Sequence, residues 1–386
     1  MTGLNVVTLK TLRPEEIAEL AAASGPCITV LLPPYRPAAQ SKSMAAILKT
    51  YCQEAARQLK ARGISESESS ELMEPLQRLS EAPEFARGSH LGRAIFRSRE
   101  TFSCIDGIDL SPGVTVGGCF QLRPVLPDLH VAGQFFLLKL SQKEVALNRC
   151  RRFTIEAVDL PRGVPRTLDE ALEFKPPDHD LENRSTSGSS TGSMRAVRFG
   201  TGSGRETERT YVADFFKAVD SGILELTHGA APLILAGVDE DVAIFRAASR
   251  YPNLLKESIR GGAKSPLSEE DLLSQAFSIL RSDSVERAAA NLYEMKERVA
   301  PARFSTDLDA ILRAAVEGRV GWIYINQDAR MIGTFDGVRR GGRVNWGEED
   351  LLNLAAVEVI LKRGLAFALP SAKMPDGAAV AAAFRY

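Results

Sequence analysis

The 386 residues carry 48 Lys and Arg against 49 Asp and Glu, a formal net charge of -1, with 44% hydrophobic and 25% charged residues. That balance excludes a chain coated in basic surface, while leaving room for one local basic patch. No apolar run reaches the length that crosses a bilayer, and 386 residues exceed one ordinary core, so two or three domains are expected.

Met1 to Pro14 has neither the basic region nor the apolar core of a secretory signal, which points to the cytoplasm. Cys27, Cys52, Cys104, Cys119 and Cys150 show no CxxC spacing and read as reduced core or helix residues. His90, His130, His179 and His228 are scattered without ligand spacing, so neither a structural metal nor a cofactor is expected.

In chain order, the apolar run Cys27 to Leu32 lies between Gly25-Pro26 and Pro33-Pro34, as a buried strand does. Met44, Ile47, Leu48, Tyr51, Cys52, Ala55 and Leu59 recur at helical spacing, predicting a helix from Ser43 to Arg62. A second helix follows from Glu66 to Ser80, then strands at Ala94 to Cys104 and Val114 to Leu122, with Pro124 and Pro127 marking the exit. Gln134 to Leu140, Glu144 to Cys150 and Phe153 to Val158 read as an antiparallel meander. A helix from Glu206 to Gly222 buries Tyr211, Val212, Phe215, Phe216 and Val219. A buried strand, Pro232 to Gly237, then leads into a helix over Asp239 to Tyr251 with an acidic first turn. Beyond a Gly/Pro linker at Arg260 to Pro266, helices cover 268 to 299, with a break near Asp283, and Asp307 to Glu317. Val320 to Asn326 is expected to pair with Arg330 to Phe335, before a helix at Glu348 to Arg363 and strands at Leu365 to Leu369 and Ala379 to Tyr386. Alternating helices and strands make the fold class α/β, in domains of residues 1–127, 128–259 and 260–386.

The segment 183–207 stands apart. From Ser185 to Gly204, 14 of 20 residues are Ser, Thr or Gly, and Arg195, Arg198 and Arg205 carry charge with no acid to offset them. Such a stretch cannot bury enough apolar surface to order itself, so a mobile loop is expected inside a folded domain. Arg184, Arg195, Arg198, Arg205 and Arg209 are the candidate RNA-binding residues, because a planar guanidinium donates to phosphate in pairs. The competing reading is an unconstrained insertion kept soluble by serine. Gly200-Thr-Gly-Ser-Gly204 lacks both a leading strand and the Walker lysine, so it is a flexible loop rather than a nucleotide turn. Asp178, Asp180 and Glu182 beside His179 could hold a metal, but in a Pro-flanked stretch they read as a solvated turn. No GxSxG elbow and no Cys/His signature appears, so no catalytic residue is assigned.

The chain's close, Met374-Pro-Asp-Gly-Ala-Ala-Val-Ala-Ala-Ala-Phe-Arg-Tyr386, resembles the end of the third domain of archaeal and eukaryotic class 1 release factors. Asp307 to Ile325 is similar to the helix-Gly-strand unit of that domain, and Ile28-Thr-Val-Leu-Leu-Pro-Pro-Tyr-Arg36 before a long helix resembles the bacterial branch. The chain thus resembles the bacterial archaeo-eukaryotic release factor family, which is related to Pelota. The resemblance implies a variable α/β N-terminal domain, a ribonuclease H-like middle domain and a C-terminal α/β sandwich like kink-turn-binding ribosomal proteins. It further implies a ribosome partner, through rRNA or tRNA, and a translational GTPase as a second partner. True release factors carry Gly-Gly-Gln on the loop before the long middle-domain helix; here that loop has none, and the codon-reading Asn-Ile-Lys-Ser is missing too. Without a group that places water against the ester, peptide release is not expected. The reading is a cytoplasmic ribosome-associated factor of the rescue, hibernation or quality-control kind, without peptidyl-tRNA hydrolase activity. The alternative is an enzyme acting on a small molecule or RNA between the middle and C-terminal domains.

Overall fold

The computed structural model describes residues 7–9, 14–33, 44–82, 85, 92–108, 111–151, 154–174, 203–261, 267–335 and 348–386. The first elements are β1 (Val7–Leu9), α1 (Pro14–Ala22), β2 (Cys27–Leu32), α2 (Met44–Ala61), α3 (Glu66–Glu81), β3 (Gly92–Arg97), β4 (Phe102–Ile108) and β5 (Gly113–Gly117). They form one sheet in the order β1-β4-β3-β2-β5, parallel between β1 and β4 and antiparallel elsewhere. The expected single strand from Ala94 to Cys104 is two strands. The Ser98 amide donates to the Thr101 carbonyl (2.8 Å) and the Ser98 hydroxyl accepts from the Thr101 amide (3.1 Å), which closes a turn between them. The strand expected from Val114 to Leu122 stops at Gly117.

The helical stripe of α2 is buried as its spacing requires, through Met44, Leu48, Cys52, Ala55 and Leu59. Its last turns also close the sheet edge. Gln58 Nε2 donates to the Val114 carbonyl, Gln58 Oε1 accepts from the Val116 amide and Arg62 Nε donates to the Val116 carbonyl. An edge strand satisfied by side chains in this way no longer offers a pairing template.

After the short α4 (Leu126–Leu129) come β6 (Gln134–Lys139), β7 (Ala146–Arg151), β8 (Thr154–Val158), α5 (Leu168–Phe174), α6 (Ser203–Thr227), β9 (Leu233–Gly237), α7 (Asp239–Ala248) and β10 (Leu254–Arg260). Their sheet runs β10-β9-β6-β7-β8, with an antiparallel meander on one side and β9 and β10 parallel to β6 on the other. α6 outlasts its expected end at Gly222, and β10 adds a strand in the stretch between the expected helix ending at Tyr251 and the expected linker.

α8 (Glu269–Arg298) runs unbroken through Asp283, which instead pairs with Arg287 one turn on. Then follow β11 (Phe304–Ser305), α9 (Leu308–Val316), β12 (Val320–Asn326), β13 (Ile332–Gly333), β14 (Glu349–Asp350), α10 (Leu351–Leu361), β15 (Leu365–Leu369) and β16 (Val380–Phe384). The sheet order is β11-β16-β12-β15. Contrary to the expected hairpin, β12 does not pair with the segment after it; its neighbours are β15 and β16, and Ile332–Gly333 pairs with Glu349–Asp350.

Two compact units result, Met1–Val131 with Leu280–Tyr386, and Ala132–Ile279. In the first, α10 is buried at every residue from Leu352 to Ile360, the mark of a helix covered on all sides. A single core joins Ile17, Phe96, Phe120 and Leu122 from the first third of the chain to Leu352, Val357 and Ile323 from the last. Asp350 caps α10 and receives Arg123 Nη1 at 2.7 Å, with both side chains about nine-tenths buried. No disulfide joins the five cysteines, all of them among the described residues, and Cys119 alone is partly exposed.

His130 lies in the same unit, stacked on Phe367 at 4.1 Å, and its Nε2 donates to the Ala366 carbonyl at 2.9 Å. Burial holds its pKa below the ordinary 6.5, with the Ala366 bond opposing in part. A histidine depressed in the folded state stabilises fully above its unfolded value and loses that contribution as pH falls below it. Denaturant midpoints of the full chain are therefore expected to fall between pH 7 and pH 5, and less steeply for His130→Phe. Parallel curves for the two proteins would remove His130 from the acid response.

Candidate nucleic-acid interface

The second unit is built around α6. Val212, Phe215, Phe216, Val219 and Ile223 form a stripe buried against Phe136, Leu138, Leu233 and Leu235 of the sheet. Phe216 meets Phe215 at 5.1 Å and the Phe245 ring at 5.8 Å, so α6 and α7 are locked together by aromatic packing. At the helix's other end Asp220, only 3% exposed, accepts from the Ser249 hydroxyl and from the Arg250 amide at 2.8 Å. This fixes the axis of α6 relative to the sheet.

β6, β9 and β10 run parallel, so their carboxyl ends open on one edge, the position where open α/β sheets take ligands. Gly237 closes β9 there; a Cβ on it would stand 2.8 Å from the Leu140 carbonyl oxygen, so only glycine allows the two strand ends to approach this closely. Charged groups then meet at the edge. Arg209 Nη2 lies 3.2 Å from Glu240 and Arg260 Nε 3.3 Å from Asp239, all four side chains well exposed. Gln142 Nε2 donates to buried Asp241 at 3.2 Å. Burial raises the Asp241 pKa, the Gln142 bond opposes the rise, and neighbouring Glu240 adds to it. Exposed ion pairs contribute little to stability, so neither Arg209 nor Arg260 is committed to its carboxylate.

Of the candidate arginines, Arg209 is placed at this edge on α6. Arg205 lies in the first turns of α6, with its side chain outside the described residues, and Arg184, Arg195 and Arg198 lie outside them altogether. So do Asp178, His179, Asp180 and Glu182. Among the described residues no group of three His, Cys, Asp or Glu gathers in the manner of a metal site, and no helix is long and apolar enough to cross a membrane. Sequence reasoning takes Asp239 to Asp241 as a helix's acidic first turn and Arg260 as linker, so it misses their meeting. The signal was a buried strand ending in Gly237 and followed at once by three acids. It becomes a site only when β10 brings Arg260 alongside.

No curated protein sequence matches the chain. Solved structures similar to it include an archaeal translation termination factor, aRF1, at 13% identity over 98% of this chain and 99% of that one, TM-score 0.24. Archaeoglobus fulgidus Pelota is 12% identical over 77% of this chain and 80% of its own, TM-score 0.37. S. cerevisiae Dom34, described as a translation termination-like factor involved in RNA quality control pathways, is 8% identical over 74% and 73%, TM-score 0.31. With scores this low, none of the three carries an argument about this chain. Residues 134–319 match the protein-family model of the bacterial archaeo-eukaryotic release factor family 3. That segment holds the whole parallel-edge sheet, the Ser/Gly stretch and α6, and through it the chain is related to the bacterial archaeo-eukaryotic release factors.

Proposed function

We propose that the chain is a ribosome-associated translation factor that acts in rescue, hibernation or quality control without hydrolysing peptidyl-tRNA. The family match over 134–319 carries this reading, because it falls on the segment holding the arginine-bearing loop. In the proposal Arg184, Arg195 and Arg198 reach rRNA or tRNA phosphates from that loop, and Arg205 and Arg209 extend the basic path onto α6. The absence of Gly-Gly-Gln from 183–207 supports binding without ester hydrolysis.

The layout 1–127, 128–259 and 260–386, with a ribonuclease H-like middle domain, belongs to the same proposal. It is supported by three larger sheets that fall one to each range, save for Arg260 at the end of β10, and by the middle order of an antiparallel meander flanked by two parallel strands. The C-terminal domain would dock a translational GTPase, and the protein would work in the cytoplasm.

The loop assignment is tested with Arg195→Ala/Arg198→Ala/Arg205→Ala in sedimentation with purified bacterial ribosomes across a salt series. Loss of three phosphate contacts should flatten the slope of log affinity against log salt by about 2. An unchanged affinity and slope would remove the loop from the interface.

A further inference from the structure

One end of the four-stranded sheet in the first unit gathers positive charge beyond what its fold requires. β12 and β15 begin there and β16 ends there. Arg385 Nη1 donates to the Gly318 carbonyl (3.2 Å) and Nη2 to that of Lys362 (2.9 Å), bridging the ends of α9 and α10. Arg303 donates to the Phe384 carbonyl (3.1 Å), and the Arg319 guanidinium stands 5.8 Å from the centre of the Phe384 ring. Arg363, exposed, follows Lys362 with φ 59°, in the left-handed region. Two helix C-termini carry partial negative charge, and one or two cations satisfy them. Here five cations meet, and the acid paired among them is Glu317, on Arg319.

Two exposed apolar groups border the charge, Leu365 at 46% and the Tyr386 ring at 73%. Four of the five cations are arginines, and three of these, Arg303, Arg319 and Arg385, are held in place by backbone carbonyls or an aromatic face. Pre-set planar forks of this kind suit phosphate oxygens, and an open tyrosine beside them suits a splayed base. We infer that the Arg303, Arg319, Lys362, Arg363 and Arg385 cluster with Tyr386 is a second RNA-binding surface, taking single-stranded or irregular RNA by its phosphates with one base on the tyrosine. That the RNA is ribosomal rests on the proposed function; the surface itself does not.

The test uses the full chain and a fluorescent oligouridylate. Lys362→Gln/Arg363→Asn removes two charges, and asparagine tolerates the left-handed backbone at 363. Its affinity should fall several-fold and its salt slope flatten by about 1.4. Tyr386→Ser, at an exposed ring that packs little, should weaken binding with the slope unchanged, which keeps the test sound if the double variant misfolds. Affinity and slope unaltered in both variants would overturn the surface. Displacement of the RNA by poly-glutamate at equal charge would overturn it too, in favour of an acidic polypeptide partner. The same proteins are then sedimented with ribosomes. A parent that ignores ribosomes while the variants weaken oligouridylate binding leaves this surface standing and removes the ribosome reading; ribosome and RNA binding equally strong in parent and variants does the reverse.

Discussion

Asn353→Ala is expected to destabilise the first unit by roughly 2–6 kcal/mol, the sum of two buried backbone groups left unpaired at about 1–3 kcal/mol each. Asn353 is 2% exposed and sits in the first turn of α10. Its Oδ1 accepts from the Leu122 amide at 2.8 Å and the Arg123 amide at 3.2 Å, and its Nδ2 donates to the Phe120 carbonyl at 2.9 Å. One side chain thereby serves donors and acceptors of a loop 231 positions away. Alanine fills part of the space but supplies neither partner. Asn353→Asp, isosteric, keeps the acceptor and loses the donor, so it should fall between parent and alanine. Urea unfolding followed by probes in each unit measures this: the transition of the first unit should move to lower urea while that of Ala132–Ile279 stays. Equal midpoints for parent and Asn353→Ala would mean that the bridge contributes nothing to the joined core.

Arg97→Ala is expected to cost about 3–5 kcal/mol, in the range found when a large, fully buried side chain is truncated. Pro75 lies inside α3 and has no amide hydrogen, so the Glu71 carbonyl one turn earlier loses its helical donor. Arg97, 1% exposed at the end of β3, supplies the replacement. Its Nη2 donates to Glu71 O and its Nε to Leu72 O, both at 3.2 Å. Burial lowers the Arg97 pKa, and the Glu71 and Glu74 charges oppose that shift. The mechanism makes a coupled prediction. In a Pro75→Ala background the helix regains its own donor, so Arg97→Ala should cost less than in the parent. Strict additivity of the two changes would mean that Arg97 is held for packing alone.

The parts of the fold legible in the sequence are those whose period and punctuation agree. The β2 run is framed by Gly-Pro and Pro-Pro pairs, and α2 repeats its apolar residues at helical spacing, so structure and expectation coincide there. β10 was not legible. Leu-Leu-Lys-Glu-Ser-Ile-Arg mixes charges with apolar residues, and the strand exists because β9 pairs with it, across a register shift between Leu254 and Ser258. The neighbours of β12 were missed for a related reason. Adjacency in sequence favours a hairpin, whereas β15 and β16 arrive some forty to sixty residues later and win by burial of the largely apolar α10. The site divides in the same way. Arg209 was readable as a basic residue opening a helix, but its meeting with Glu240, 31 positions on, is a product of topology. The cluster around Arg385 was hidden altogether, since its members are spread from 303 to 385 and each looks like an ordinary surface charge.

The most direct measurement of the central claim is sedimentation of the purified chain with bacterial ribosomes across a salt series, on empty and on translating particles. The account predicts saturable binding that weakens steadily with salt, with the favoured particle separating hibernation from rescue. Absence of binding at low salt would contradict it, and the family relation would then describe the fold of residues 134–319 and not their work.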